Sequence, residues 1–289
     1  MADSELSQSG TTGPQQSAIC FQRLCDIVAK LRAPGGCPWD REQTHESILP
    51  QMIEEAYELA EAVRANDMAH FREELGDVLL HVVMQGEIAR EAGHFNIDDV
   101  VRQISEKLVR RHPHVFGASD AHDSGAVVKQ WEAIKRAEKS GQHYLDTLPK
   151  ALPALMRAQK AQAKVARVNF DWAELGDVIA KVEEELGELK TAIATLATAS
   201  PSGGGQDRQS IEEETGDLLF AVVNLARKCQ LDAESVLQAA TDKFVERFKR
   251  LEDELYARDK KLGDVDLAEL DAIWERIKMT NDKARMTSR

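Results

Sequence analysis

Residues 74–85 read ELGDVLLHVVMQ, and residues 214–225 read ETGDLLFAVVNL. The two stretches share Glu74/Glu214, Gly76/Gly216, Asp77/Asp217, Leu79/Leu219, Val82/Val222 and Val83/Val223. Around the first, Phe71, Leu75, Val78, Leu79, Val82, Val83 and Ile88 recur at steps of three and four, which is the stripe of an amphipathic helix. Ile211, Leu218, Leu219, Val222, Val223 and Ala226 do the same around the second. The prolines stand at 14, 34, 38, 50, 113, 149, 153 and 201, so 51–112, 154–200 and 202–289 lack the residue that breaks helices most strongly. No long run alternates with period two. The pattern predicts an all-α protein built by tandem duplication of a helical-bundle domain, with helices over 17–32, 46–65, 68–92, 97–112, 125–139, 150–167, 174–197, 207–229, 233–259 and 266–280. A glycine within a helix costs about 0.5–1 kcal/mol relative to alanine. Gly76 and Gly216 therefore suggest close approach of another helix or of a ligand.

Upstream, the repeat continues as acid pairs. Glu54-Glu55-x-x-Glu58 precedes Glu74-x-x-Asp77, and Glu184-Glu185-x-x-Glu188 precedes Glu214-x-x-Asp217. Residues three or four apart share a helix face, so two packed helices bring at least four carboxylates together. Such crowding is unfavourable unless a cation sits among them. Clustered hard oxygens suit Mg²⁺, with Mn²⁺ as an alternative, and Mg²⁺ usually arrives with a phosphate substrate. One acidic segment alone is a weak signal. The same register twice is not explained by a solvated face.

Downstream, Lys107 and Arg111 match Lys243 and Arg247, and Trp131-Glu-x-Ile-Lys135 matches Trp274-Glu-x-Ile-Lys278. Two readings of the basic pairs are open: a surface face paired with the many acids, or contacts to phosphate oxygens, for which Arg supplies a fork and Lys a point charge. Trp274 is either core or an aromatic support for a base or sugar.

The chain has 289 residues, 43% hydrophobic and 30% charged, which is an ordinary globular composition with material for two domains. The sequence divides as a tail at 1–16, a first domain at 17–140, a linker at 141–149 and a second domain at 150–282. Fifty acids against 37 bases give a formal net charge of −13, which argues against nucleic-acid or membrane-surface partners. No apolar stretch is long enough to span a bilayer, and the first residues lack the basic start and apolar run of a signal peptide. Cys20, Cys25, Cys37 and Cys229 form no CxxC and read as free thiols. A cytoplasmic protein is the expectation. No GxxxxGK[ST] loop is present, so phosphate is not held by a P-loop.

The chain resembles the MazG-type nucleoside triphosphate pyrophosphohydrolases of the two-domain bacterial kind. The likeness runs over most of 19–280 and rests on GCPWDREQTHESI (36–48), EEAYELAEAV (54–63), EELGDVLLHVV (73–83), KLVRRHPHVF (107–116), PALMRAQKAQAKVARVNFDW (153–172) and EEETGDLLFAVVNLAR (212–227). The resemblance implies an all-α homodimer that hydrolyses nucleoside triphosphates to monophosphate and pyrophosphate with Mg²⁺, in removal of unwanted nucleotides. By matching position it assigns Glu185, Glu188, Glu214 and Asp217 to the metal. Glu184 becomes a supporting group or base, and Lys181, Lys243, Arg247 and Trp274 become nucleotide contacts. Some relatives carry a Lys shortly before the second acidic segment, where this chain has Ser210 with Arg208 nearby. Two rivals stay open: the same fold narrowed to one substrate, such as dUTP or phosphoribosyl-ATP, and a non-hydrolytic nucleotide-sensing scaffold.

Both copies keep their acids, so the acids do not rank them. Pro113 interrupts the first basic helix just after Arg111, while none interrupts 233–259. The joint from Glu188 to Glu214 is longer than that from Glu58 to Glu74 and carries Ser200-Pro-Ser-Gly-Gly-Gly205, a loop suited to closing over a substrate. The second copy is therefore expected to carry most turnover. Glu54, Glu55, Glu58, Glu74, Asp77, Lys107, Arg111 and Trp131 then form a second, weaker site.

Overall fold

The computed structural model describes residues 13–120, 123–138, 143–198 and 204–287. Every regular element among them is a helix. The chain divides into two compact units, Met1–Ser140 and Gly141–Arg289. The tail expected at 1–16 lies outside the described residues as far as residue 12; helix α1 (Pro14–Arg32) already covers its end, with proline at the first turn, where its missing N–H costs nothing.

In unit 1, α1 leads through the short α2 (Pro38–Glu42) to the acidic hairpin of α3 (Leu49–Ala65) and α4 (Met68–Glu91). Asn66 takes the left-handed conformation that ends α3. The Asp67 carboxylate then accepts from the N–H groups of Ala69 and His70, at 3.0 and 3.1 Å, and starts α4. This places His70 in the first turn of α4. Helix α5 (Ile97–Arg111) opens with a reciprocal Asn96–Asp99 capping box. Pro113 stops it, and α6 (Pro113–Phe116) and α7 (Ser124–Ala137) follow. Val28, Ile48, Val83, Met84 and Ile88 form the core that joins α1 to α4. Arg32, 8% exposed, reaches Glu91 at 2.8 Å and the carbonyl of Gln43 at 3.1 Å, so it ties α1, the segment after α2 and the end of α4 together.

Unit 2 repeats the plan with α8 (Ala154–Ala166), α9 (Leu175–Thr198), α10 (Gly204–Lys228), α11 (Ala233–Tyr256) and α12 (Leu267–Thr287). Helices α9 and α10 form the acidic hairpin, α8 packs on α10 and α11, and α11 pairs with α12. Leu251, Leu255, Ile273 and Ile277 form the core of that last pair.

Three expectations are revised. The short helices α2 and α6 are absent from the predicted set, because four or five residues carry too little periodicity to read. Gly204 and Gly205 belong to α10, so the expected glycine-rich loop is reduced to residues that lie outside the described ones. A Cβ at Gly76 or Gly216 meets nothing within 4 Å. Among the described residues no other helix stands within that distance, so of the two expected neighbours, a helix or a ligand, only the ligand keeps room, in open space beside Asp77 and Asp217.

Candidate active site

In unit 2, Lys181, Glu185 and Glu188 repeat at helical spacing along α9, and the exposed Glu184 stands beside them. Lys181 Nζ lies 2.8 Å from both Glu184 Oε1 and Glu185 Oε1. These two carboxylates, Glu184 foremost, hold the ammonium protonated well above the ordinary lysine range. Glu185 is 6% exposed. One carboxylate oxygen each from Glu185, Glu188 and Glu214 lies within 4.8 Å of the others. Burial, and then the charges of Glu185 and Glu214, push Glu188 above the usual carboxylate range, against the opposing charge of Lys181. An all-oxygen set held this close fits a hard divalent cation.

The acids border two cavities. One of about 360 Å³ lies between α8, α9, α10 and the segment 170–172. Val165, Phe170, Trp172, Val178 and Phe220 give it apolar walls, and Lys181, Glu185 and Asp217 stand at its lining. The other, about 310 Å³, is lined by Glu188, Glu214, Thr191, Thr195 and Ser210. Asp217 is outside the close oxygen group but joins Glu185 at the apolar cavity.

The apolar cavity is locked by a polar network. Arg227 donates to Asn224 Oδ1 from Nε at 2.9 Å and from Nη2 at 2.7 Å, and from Nη2 to Asp171 Oδ1 at 2.6 Å. Burial raises the Asp171 carboxyl, but the hydrogen bond and charge of Arg227, helped by Lys228, hold it below its ordinary value. Asn224 is 4% exposed. Asp217, Phe220 and Asn224 are three, four and seven residues apart on α10, so one helix face runs from the acids along the cavity.

The other predicted contacts lie elsewhere. Lys243, Arg247 and Trp274 do not line the apolar cavity. Trp274 is partly buried, packs on the α11–α12 core and meets the Phe244 ring at 5.1 Å between centroids. Lys243 is exposed. Arg247 Nε is buried without a hydrogen-bond partner among the described residues. The matching Arg111 of unit 1 is instead bound to Glu138, which Arg110 also reaches at 2.8 Å, and its guanidinium sits 5.9 Å from the Trp131 ring centre. Arg111 first, then Arg110, lower the Glu138 carboxyl to about 2.

In unit 1, oxygens of Glu55, Glu74 and Asp77 lie within 4.8 Å of one another. Glu74 is 4% exposed, and its Oε2 is buried with no hydrogen-bond partner among the described residues. Burial, the close approach of the Glu74 carboxylate and the charges of Asp77 and Glu74 raise the Glu55 carboxyl, opposed by His81. Glu54 takes no part in that group.

The MazG nucleotide pyrophosphohydrolase domain matches this chain twice, over residues 43–116 and 177–251. The chain belongs to the MazG family. The MazG relative from Thermotoga maritima, named nucleoside triphosphate pyrophosphohydrolase/pyrophosphatase MazG, is 45% identical over 266 residues, covering 91% of this chain and 98% of that protein. The nucleoside triphosphate pyrophosphohydrolase of Escherichia coli K12 is 44% identical over 89% of this chain and 97% of its own length. YabN of Bacillus subtilis, an uncharacterized protein, is 42% identical over 91% of this chain but only 53% of its own. Both MazG matches contain the acidic hairpins. Neither reaches Phe170, Trp172 or Gln162, which line the apolar cavity. The sequence marked them only as part of the stretch 153–172 that carries the resemblance, with nothing to single them out as cavity lining. Asn224 was legible in principle, because it stands two turns beyond Asp217 on the same face.

Proposed function

We propose that this chain is a Mg²⁺-dependent enzyme that hydrolyses nucleoside triphosphates to monophosphate and pyrophosphate, with unit 2 as the principal site. The observation that carries the reading is the close oxygen cluster of Glu185, Glu188 and Glu214, set between an apolar cavity and a polar one. The names borne by the MazG relatives from Thermotoga maritima and Escherichia coli agree with it. The base enters between Phe170, Trp172 and Phe220, and the triphosphate crosses the acids toward Ser210. Glu185, Glu188, Glu214 and Asp217 hold the cation, with Mn²⁺ able to replace Mg²⁺. Held by these residues, a divalent ion would supply charge neutralisation for the phosphates and a lowered pKa for the attacking water. Lys181, fixed by two carboxylates, supplies a permanent positive charge beside the scissile phosphate. Glu184, outside the oxygen cluster, accepts the proton of the water that attacks the α-phosphorus as pyrophosphate leaves. Arg247, with its unpaired Nε, and Lys243 supply further phosphate contacts.

We also infer a cytoplasmic homodimer that acts on several triphosphates. Val101, Ile104 and Leu108 are 43–49% exposed at helical spacing on α5, which suits a subunit contact. Among the described residues no helix is long and apolar enough to cross a membrane. The test is phosphate speciation across a nucleotide panel with Mg²⁺ and with EDTA. Pyrophosphate as first product supports the reading, and nucleoside diphosphate with orthophosphate contradicts it. A narrow panel response would point to the single-substrate rival, and none at all to the scaffold.

A further inference from the structure

The two acidic hairpins differ in two histidines that only unit 1 carries. Aligned on Glu74 and Glu214, position 70 is His in unit 1, where unit 2 has Ser210. Position 81 is likewise His, where unit 2 has Ala221. Both imidazoles face the unit 1 acids. His70 Nε2 lies 2.8 Å from Glu74 Oε1, and His81 Nε2 lies 3.9 Å from Glu55 Oε1.

Ligand atoms of Glu58, His70 and Glu74 fall within 4.8 Å of one another, as do those of Glu55, Glu74 and Asp77. Glu74 belongs to both groups. It is 4% exposed, yet its Oε2 is buried without a hydrogen-bond partner among the described residues. A buried carboxylate oxygen left unmet is unfavourable, and the pairing with His70 engages only Oε1. Two ligands at about 2.1 Å from one ion and at right angles are ~3 Å apart, so the separation of His70 Nε2 and Glu74 Oε1 suits a shared ion. The Asp67 cap fixes the turn that carries His70, and α3 supplies Glu58 from the facing helix.

We propose that unit 1 holds a first-row transition dication, of the Mn²⁺ to Zn²⁺ class, through the imidazole of His70 and the carboxylates of Glu58 and Glu74. Glu74 links this position to the all-oxygen position formed with Glu55 and Asp77. Imidazole nitrogen favours these ions over Mg²⁺, whereas the oxygen set of unit 2 does not discriminate in that way. The duplication has thus separated two metal preferences, and unit 1 retains its acids for an ion other than the one used in unit 2. This inference is independent of whether unit 2 hydrolyses nucleotides.

The test is pulsed electron paramagnetic resonance of Mn²⁺ on the full chain, which detects nitrogen bound to the ion and needs no activity. The oxygen set of unit 2 supplies no nitrogen. Nitrogen modulation is expected in the unaltered protein, absent in His70→Ser and retained in His81→Ala. Each substitution installs the residue that unit 2 carries, and both proteins should show unchanged helical content. Calorimetry in a Glu185→Gln, Glu188→Gln background provides the second readout. There His70→Ser should weaken Mn²⁺ by about tenfold or more, since losing even an outer partner costs that much, while Mg²⁺ affinity changes little. Absence of nitrogen modulation in the unaltered protein overturns the proposal. So does its persistence in His70→Ser, its loss in His81→Ala alone, or an equal weakening of Mg²⁺ and Mn²⁺.

Discussion

Withdrawing divalent cation should lower the melting temperature of unit 2 by several degrees. Glu185, Glu188 and Glu214 bring oxygens within 4.8 Å, and Glu188 is already raised by burial and by its two neighbours. The folded unit therefore carries repulsion that the unfolded chain lacks. An ion that binds only the folded form stabilises it by about 2.7 kcal/mol at one hundred times its dissociation constant. For a unit of this size each kcal/mol moves the midpoint by roughly 2–4 °C, so the shift is about 5–11 °C. Calorimetry of the full chain in EDTA, followed by Mg²⁺ titration, measures it. Unit 1 has acids of its own, so the unit 2 transition is identified with Glu185→Gln, Glu188→Gln. That variant should lose the unit 2 shift and melt higher than the unaltered protein without metal, because the repulsion is gone. A unit 2 transition that ignores saturating Mg²⁺, or a shift that survives both substitutions, would refute the reasoning.

Acid should loosen unit 1 through Glu138. Its folded pKa of about 2 lies below the ordinary 4.5, so its stabilisation is complete above pH ~4.5 and disappears as pH falls toward ~2. Glu138→Gln should flatten stability over that window in an acid titration followed by circular dichroism, and an unchanged slope would count against the pairing with Arg111. Trp172→Ala should raise KM by roughly tenfold, within the 1–3 kcal/mol typical of base stacking, with a smaller effect on kcat; steady-state kinetics on one purine and one pyrimidine triphosphate checks this. Arg227→Ala leaves the buried Asn224 Oδ1 unmet and Asp171 with Lys228 alone, and should destabilise unit 2 by ~1–3 kcal/mol in denaturant unfolding, whereas Arg208→Ala, on an exposed helix face, should change little.

The fold was legible because its signal is periodic and doubled. Leu79, Val82 and Val83 recur as Leu219, Val222 and Val223, and helical spacing has few alternative readings over such lengths. The oxygen cluster was legible for the same reason, since i, i+4 carboxylates on two adjoining helices converge whatever surrounds them. Gly76 and Gly216 left two readings, a neighbouring helix or a ligand, because a residue without a side chain signals permission and does not say what uses it; the open space beside them favours the second. Trp274 was ambiguous, since an aromatic ring serves a core and a ligand equally well; it packs against Phe244 and the α11–α12 core. The apolar cavity was hidden because Gln162 and Phe170 come from one segment and Asn224 and Arg227 from another, and no spacing relates the two segments. Arg111 and Arg247 read alike in sequence, and only the fold brings Glu138 to the first and leaves Nε of the second unmatched.

Unit 2 as the principal hydrolytic site is the central claim, and paired kinetics test it most directly. Initial rates of pyrophosphate release are measured with Mg²⁺ for Glu188→Ala and Asp217→Ala, and for Glu58→Ala and Asp77→Ala, on the same triphosphate. The unit 2 pair should lose nearly all activity, and the unit 1 pair should keep most of it. Equal losses in both pairs, or loss confined to Glu58→Ala and Asp77→Ala, would contradict the assignment.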